Sequence, residues 1–162
     1  MSDLINIKLQ IEEGRPDISV LIKSGERNED VEGVIAAIES YSDKRRPKLP
    51  AYFHDSMVML PQMQIIRIFV DGRKVRAQTS DRIYDIRMPL KLVEEVLDAR
   101  SFVRISKSEI INLSRVKSFD FSAAGTIGVE LDNGEKTWVS RRRVKSVKDA
   151  LTGENHAGNE NH

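Results

Sequence analysis

The sequence predicts a mainly β chain of the α+β class, with antiparallel sheets and flanking helices. Three observations lead there. Short runs of high β-propensity follow one another closely, at 65–70, 74–79, 82–87, 116–121, 126–131 and 136–139. Asp71-Gly72 and Asn133-Gly134 each stand between consecutive runs, where a tight hairpin turn belongs. Strands and helices do not alternate, which argues against a doubly wound nucleotide-binding sheet.

The first fifty residues read as strand, strand, helix. Residues 4–11 alternate apolar and polar, so that Ile5, Ile7, Leu9 and Ile11 share one face. Gly14-Arg15-Pro16-Asp17 is turn chemistry, and residues 18–22 form the second strand. Asn28 is placed to cap a helix whose first turn holds Glu29 and Asp30, acids that favour the positive end of the helix dipole. Val31, Val34, Ile35 and Ile38 then recur at helical spacing. Residues 43–50 are polar and carry two prolines, so a linker and a domain boundary are expected there. Residues 1–50 would thus be a small segment for dimerisation or sensing, or one that packs on the module that follows.

In the second module, residues 56–151, the three strands of 65–87 come first. Pro89 suits the first turn of a helix whose apolar stripe is Leu90, Val93, Val96 and Leu97. Residues 102–105 and Ile110-Ile111 are two short apolar stretches around a polar loop. The strands at 116–121, 126–131 and 136–139 follow. Ser140 is placed to cap a last helix with Val144, Val147 and Leu151 inward. Residues 152–162, rich in Gly, Asn, Glu and His, are expected to be a disordered tail.

Composition removes several functions. The 162 residues contain no cysteine, so disulfides, thiolate zinc sites and a cysteine nucleophile are excluded. No apolar run approaches the roughly 20 residues that cross a bilayer, and residues 1–10 lack the apolar core of a signal peptide. A cytoplasmic location is the expectation. No glycine-rich phosphate loop is present, and the acidic residues do not gather as a metal site requires. His54 adjoins the linker, while His156 and His162 fall in the tail. With no organised acid, base or nucleophile, the sequence predicts neither an enzyme nor a cofactor or metal.

Charge is informative by its distribution. Residues 56–151 carry 18 basic and 12 acidic side chains, a surplus of six, between acidic flanks. A basic module attracts polyanions, nucleic acid above all. Three stretches concentrate the cations. Arg141, Arg142 and Arg143 stand at the start of a helix, against the dipole, where folding gives no reason for them but a bound phosphate would. Arg104 and Lys107 border the loop Ser106-Lys107-Ser108, whose hydroxyls and ammonium suit DNA backbone and base edges. Arg73 and Lys74 follow the Asp71-Gly72 turn at a hairpin end.

The stretch Phe102-Val103-Arg104-Ile105-Ser106-Lys107-Ser108-Glu109-Ile110-Ile111-Asn112-Leu113 resembles the signature of the LytTR DNA-binding domains: a Phe-x-Arg stretch, a basic-Ser loop, then an apolar-Asn pair. Leu131-Asp132-Asn133-Gly134, followed by Val139-Ser140-Arg141-Arg142 and a terminal helix, fits the same pattern. The resemblance covers residues 56–151. It implies an elongated antiparallel β-fold that reads double-stranded DNA with loops rather than with a recognition helix. It also implies a transcription regulator that binds promoter direct repeats in pairs, hence a homodimer at least on DNA. Carried over by position, Arg73 or Lys74, Lys107, and Arg142 with Arg141 fall in three base-contacting loops, and Arg104, Ser106 and Ser108 on phosphates. The family often has His where Ser106 stands, so different bases are expected to be read there. Many relatives carry a phosphorylation receiver; residues 1–55 are too few for one, and some short relatives are restrained instead by an inhibitory membrane protein. The competing expectation is an adaptor that binds an acidic protein through the same basic surface.

Overall fold

The computed structural model describes residues 5–15 and 18–153, and the chain divides into two compact units, residues 1–38 and 39–162. In the first unit helix α1, Glu29–Arg45, begins as its cap residue dictates. The Asn28 side chain accepts the Val31 N–H at 3.1 Å, and its carbonyl accepts that of Glu32. The helix runs on past Ile38 to Arg45. The two strands expected ahead of it are not formed among the described residues 5–11 and 18–22. Their aliphatic side chains are open to solvent, Ile7 at 84% and Ile18 at 92%. An alternating pattern supplies a face, but a strand exists only against a partner, and a lone hairpin without a core is marginal in water. Leu4, Pro16 and Asp17, parts of those expected elements, lie outside the described residues, as do residues 154–162 of the expected tail with His156 and His162.

The second unit holds two antiparallel sheets. The larger has seven strands: β1 Leu49–Phe53, β2 Ser56–Leu60, β3 Arg67–Asp71, β4 Lys74–Gln78, β5 Ile83–Ile86, β6 Phe102–Ser106 and β7 Glu109–Asn112, in spatial order β2-β1-β5-β4-β3-β7-β6. The smaller has β8 Val116–Asp120, β9 Ile127–Leu131 and β10 Lys136–Val139, in order β10-β9-β8. Helix α2, Leu90–Val96, starts directly after Pro89. Helix α3, Val144–Thr152, follows a single 3-10 turn formed by Arg141–Arg143. The three arginines therefore precede the α-helix rather than fill its first turn. Ser140 offers its carbonyl to the Arg143 N–H, and its side chain makes no capping bond.

The region expected as a linker is partly sheet. Leu49 is fully buried and opens β1, and Leu49↔Leu60 begins the β1–β2 register. The prolines that suggest a linker are tolerated because β1 lies near the sheet edge and meets β5 only around Tyr52↔Asp85.

Two apolar cores result. Leu49, Leu60, Ile65, Ile68, Ile86, Val93 and Ile110 pack in the first, under α2. Ile66, Ile105, Ile111, Ile127, Val129, Leu131, Val139 and Val147 pack in the second. All four residues of β7 are buried. Because successive strand side chains point to opposite faces, Ile110 serves one core and Ile111 the other. Strand β7 is thus fixed on both sides, and the turn at its start is fixed with it.

Candidate nucleic-acid interface

Three cation-bearing turns meet at one end of the seven-stranded sheet, and the backbone register brings them there. The β3–β4 hairpin closes at Asp71↔Lys74 through Gly72 and Arg73. Gly72 has φ +63°, a conformation that glycine adopts without strain, and this puts Arg73 at the turn's apex. Strand β3 also pairs with β7, ending at Phe69↔Glu109, so the β6–β7 turn lies beside the β3–β4 turn. A bond from the Val70 N–H to the Ser108 carbonyl, 2.8 Å, ties the two together. On the far side the Ser140 N–H donates to the Ile105 carbonyl, 2.8 Å, which holds the 3-10 turn of Arg141–Arg143 against the end of β6.

Arg73, Lys107, Arg141 and Arg142 are exposed, and among the described residues their side chains make no ion pair or hydrogen bond. The β8–β9 loop passes close to Arg141: a Cβ on Gly125 would stand 3.9 Å from its Nε. Lys74 is exposed and has a loose partner in Asp85, at 3.7 Å. Ser106 and Ser108 face each other across their turn, Oγ to Oγ 3.3 Å, and the Ser108 N–H donates to the Ser106 hydroxyl at 3.2 Å.

Arg104 departs from the expected role at a phosphate. Its side chain is only 16% exposed, and its guanidinium is spent inside the protein. Nε donates to the Ser106 carbonyl at 2.9 Å, Nη2 to the Lys107 carbonyl at 2.5 Å, and Nη1 to Glu94 Oε2 of α2 at 2.9 Å. A register shift in the β6–β7 pairing between Arg104 and Ser106 turns the loop carbonyls toward it. Arg104 therefore holds the loop that presents Lys107.

Sequence reasoning missed a second brace. Glu109, at the start of β7, is buried, yet each of its oxygens has a partner: Arg67 Nη1 at 3.1 Å and Thr137 Oγ1 at 2.6 Å. Arg67 also donates to Gln78 Oε1 at 2.6 Å and lies over the Phe69 ring. Since Thr137 belongs to β10, Glu109 joins the two sheets one residue from the Lys107 turn. The Asn112 of the signature is likewise internal: Nδ2 donates to the Ile65 carbonyl at 2.9 Å, and Oδ1 accepts from the Ser114 N–H and hydroxyl. At the end of β8 Asp120 is held below the usual carboxylate range by the Ser122 hydroxyl and then its N–H.

The sequence profile of the LytTr DNA-binding domain matches residues 55–152. The chain belongs to the LytTR family. Residues 55–152 are thus a DNA-binding domain, and DNA-binding transcription regulation is the function that membership carries. Two proteins described as uncharacterised HTH-type transcriptional regulators of Staphylococcus aureus, from strains NCTC 8325 and COL, are each 27% identical over 149 residues, covering 92% of this chain and 99% of theirs. The LytTr DNA-binding domain of a methyl-accepting/DNA response regulator from Bacillus cereus has the same fold, with a TM-score of 0.62 at 20% identity over 65% of this chain and 97% of that one. The relatives' "HTH" label finds no counterpart in this LytTR domain: among the described residues five strands separate α1 from α2 and five separate α2 from α3. Nor is any described helix long and apolar enough to cross a membrane.

Proposed function

We propose that this LytTR protein regulates transcription by reading double-stranded promoter DNA with three turns, two copies occupying repeated half-sites as a homodimer on DNA. Arg73, Lys107 and Arg142 read bases. Lys74, Ser106, Ser108 and Arg141 hold phosphates, and Arg104 keeps the middle turn in place. One observation carries this reading: uncompensated cations from three separate stretches stand side by side at one sheet end, tied by two backbone hydrogen bonds. Folding gains nothing from such a row of like charges, and a polyanion does. Neighbouring strands lie about 4.8 Å apart, so the ends of β4, β3, β7 and β6 span roughly 14 Å before the arginine side chains are added. That exceeds the roughly 12 Å width of one major groove of B-DNA.

Binding of the full chain to DNA from upstream of its own gene, followed by fluorescence anisotropy at several salt concentrations, tests the proposal. Affinity is expected to fall steeply with salt, with a slope of about −0.9 per phosphate contact. Replacing Arg73, Lys107 and Arg142 together by alanine is expected to abolish the preference over scrambled duplex, and the mass of the complex on a direct repeat to correspond to two copies. A folded protein that ignores DNA and captures an acidic protein instead would establish the adaptor.

A further inference from the structure

A cation from a fourth stretch extends the row in a way the sequence pattern does not announce. Arg87 lies one residue beyond the Val75↔Ile86 pair that ends the β4–β5 register, level with Lys74 at the same sheet end as Arg73. Together with Arg73, Lys74, Asp85, Met88 and Pro89 it lines a shallow open depression. The Arg87 guanidinium carbon stands 3.8 Å from the centroid of the Tyr52 ring, the side chain is exposed, and among the described residues it makes no ion pair.

The local charge balance singles it out. Two carboxylates face this corner, and both are already in use. Asp85 lies 3.7 Å from Lys74 and 3.8 Å from Arg76, while Asp71 lies 3.3 Å from Arg76. Arg73 and Arg87 are left uncompensated on either side of Lys74. A guanidinium seated on an aromatic ring gives up its π face and keeps its planar fork of N–H groups. The fork matches two oxygens of a phosphate, and stacking reduces the rotamer freedom lost when it binds one.

We infer that Arg87, seated on Tyr52, is a DNA backbone anchor: it grips a phosphodiester one strand beyond Arg73 and extends the duplex track to the order Arg142, Lys107, Arg73, Arg87. Tyr52 positions the anchor and belongs to the β1–β2 hairpin. It lies outside the residues matched by the family profile, so this chain supplies the shelf from its own preceding segment. The inference rests on the proposed DNA interface, and the anchor it adds is indifferent to base sequence.

The test compares Arg87→Gln, Tyr52→Leu and Tyr52→Phe with the unaltered full chain, on the upstream duplex and on a scrambled duplex, between about 50 and 200 mM salt. Arg87→Gln is expected to weaken both complexes alike and to flatten the salt slope by about 0.9, so that the unaltered chain's advantage shrinks roughly 3.5-fold over that range. Tyr52→Phe, which keeps the ring, is expected to bind as the unaltered chain does. Tyr52→Leu is expected to lose affinity with the slope retained, because the cation is still present. Circular dichroism confirms that each variant is folded. If Arg87→Gln leaves slope and affinity unchanged while Arg73→Gln reduces them, the anchor is refuted and the three-turn interface stands. If neither variant has any effect, the interface itself fails, and the anchor with it.

Discussion

Arg104→Ala separates two roles for one arginine, and the structure gives magnitudes for both. The guanidinium donates to the carbonyls of Ser106 and Lys107 and to Glu94. Hydrogen bonds from a charged donor contribute about 1.5–3 kcal/mol each when the acceptor would otherwise go without a partner. Glu94 is 43% exposed, so that ion pair is screened and contributes under about 1 kcal/mol. The turn carbonyls lie next to solvent at Lys107 and Ser108, and water replaces part of what is lost. The expected destabilisation is therefore about 2–3 kcal/mol, read as a lower midpoint in urea unfolding. DNA binding adds a second readout. If Arg104 acts by holding Lys107, then alanine at both positions weakens specific binding no more than the worse single variant, because the Lys107 contact is already lost. If Arg104 were itself a phosphate ligand, the two losses would add, and the salt slope would flatten by about 0.9 more in the double variant than with Lys107→Ala alone. Additive losses would refute the brace.

Other expectations follow from the buried polar groups. Glu109→Leu leaves Arg67, a side chain 16% exposed, without the nearer and buried one of its two carboxylate partners, and a loss of about 3–5 kcal/mol is expected by thermal or urea unfolding; a near-neutral result would mean that Glu135, 3.6 Å from Arg67, takes over the charge. Asn112→Ala removes three hydrogen bonds from a site 1% exposed and is expected to cost about 2–4 kcal/mol, with faster hydrogen exchange at Ser114. Gly72→Ala meets no steric obstacle, since nothing lies within 4 Å of an added Cβ. Its cost is the positive φ alone, about 1–2 kcal/mol, and a larger loss would show that the turn carries more than its backbone conformation.

How much of this was legible depended on whether local chemistry and final contacts agreed. From Arg67 to Val139 they did; beyond it Ser140 makes no capping bond, and Arg141–Arg143 form a 3-10 turn ahead of α3. Runs of β-branched and aromatic residues became strands, Gly72 made its turn, and Pro89 opened α2. In residues 5–11 and 18–22 the apolar pattern was equally plain, yet no strand formed among these described residues, because pairing is a property of the partner and the pattern names none. The β1–β2 hairpin was hidden for the opposite reason. Pro47 and Pro50 look like linker, and the turn is made by His54 at φ +53°, a residue that carries little turn signal. The cations at the interface were legible as charge but not as roles. Arg104, in β6, and Lys107, in the turn after it, are three residues apart; one is bonded to the turn's carbonyls and the other is free, a division set by the irregularity in the β6–β7 pairing. Arg87 gave no signal, since its partner Tyr52 is thirty-five residues away in sequence.

The central claim is that three turns at one sheet end each address their own place on a duplex. A base-substitution scan of the bound site tests it most directly, run with the unaltered chain and with Arg73→Ala, Lys107→Ala and Arg142→Ala. The account predicts that each variant loses about 1–3 kcal/mol of discrimination at its own position, with the affected positions ordered along the DNA as the turns are ordered across the sheet. Variants that weaken every sequence equally, or that all lose preference at the same base pair, would contradict it.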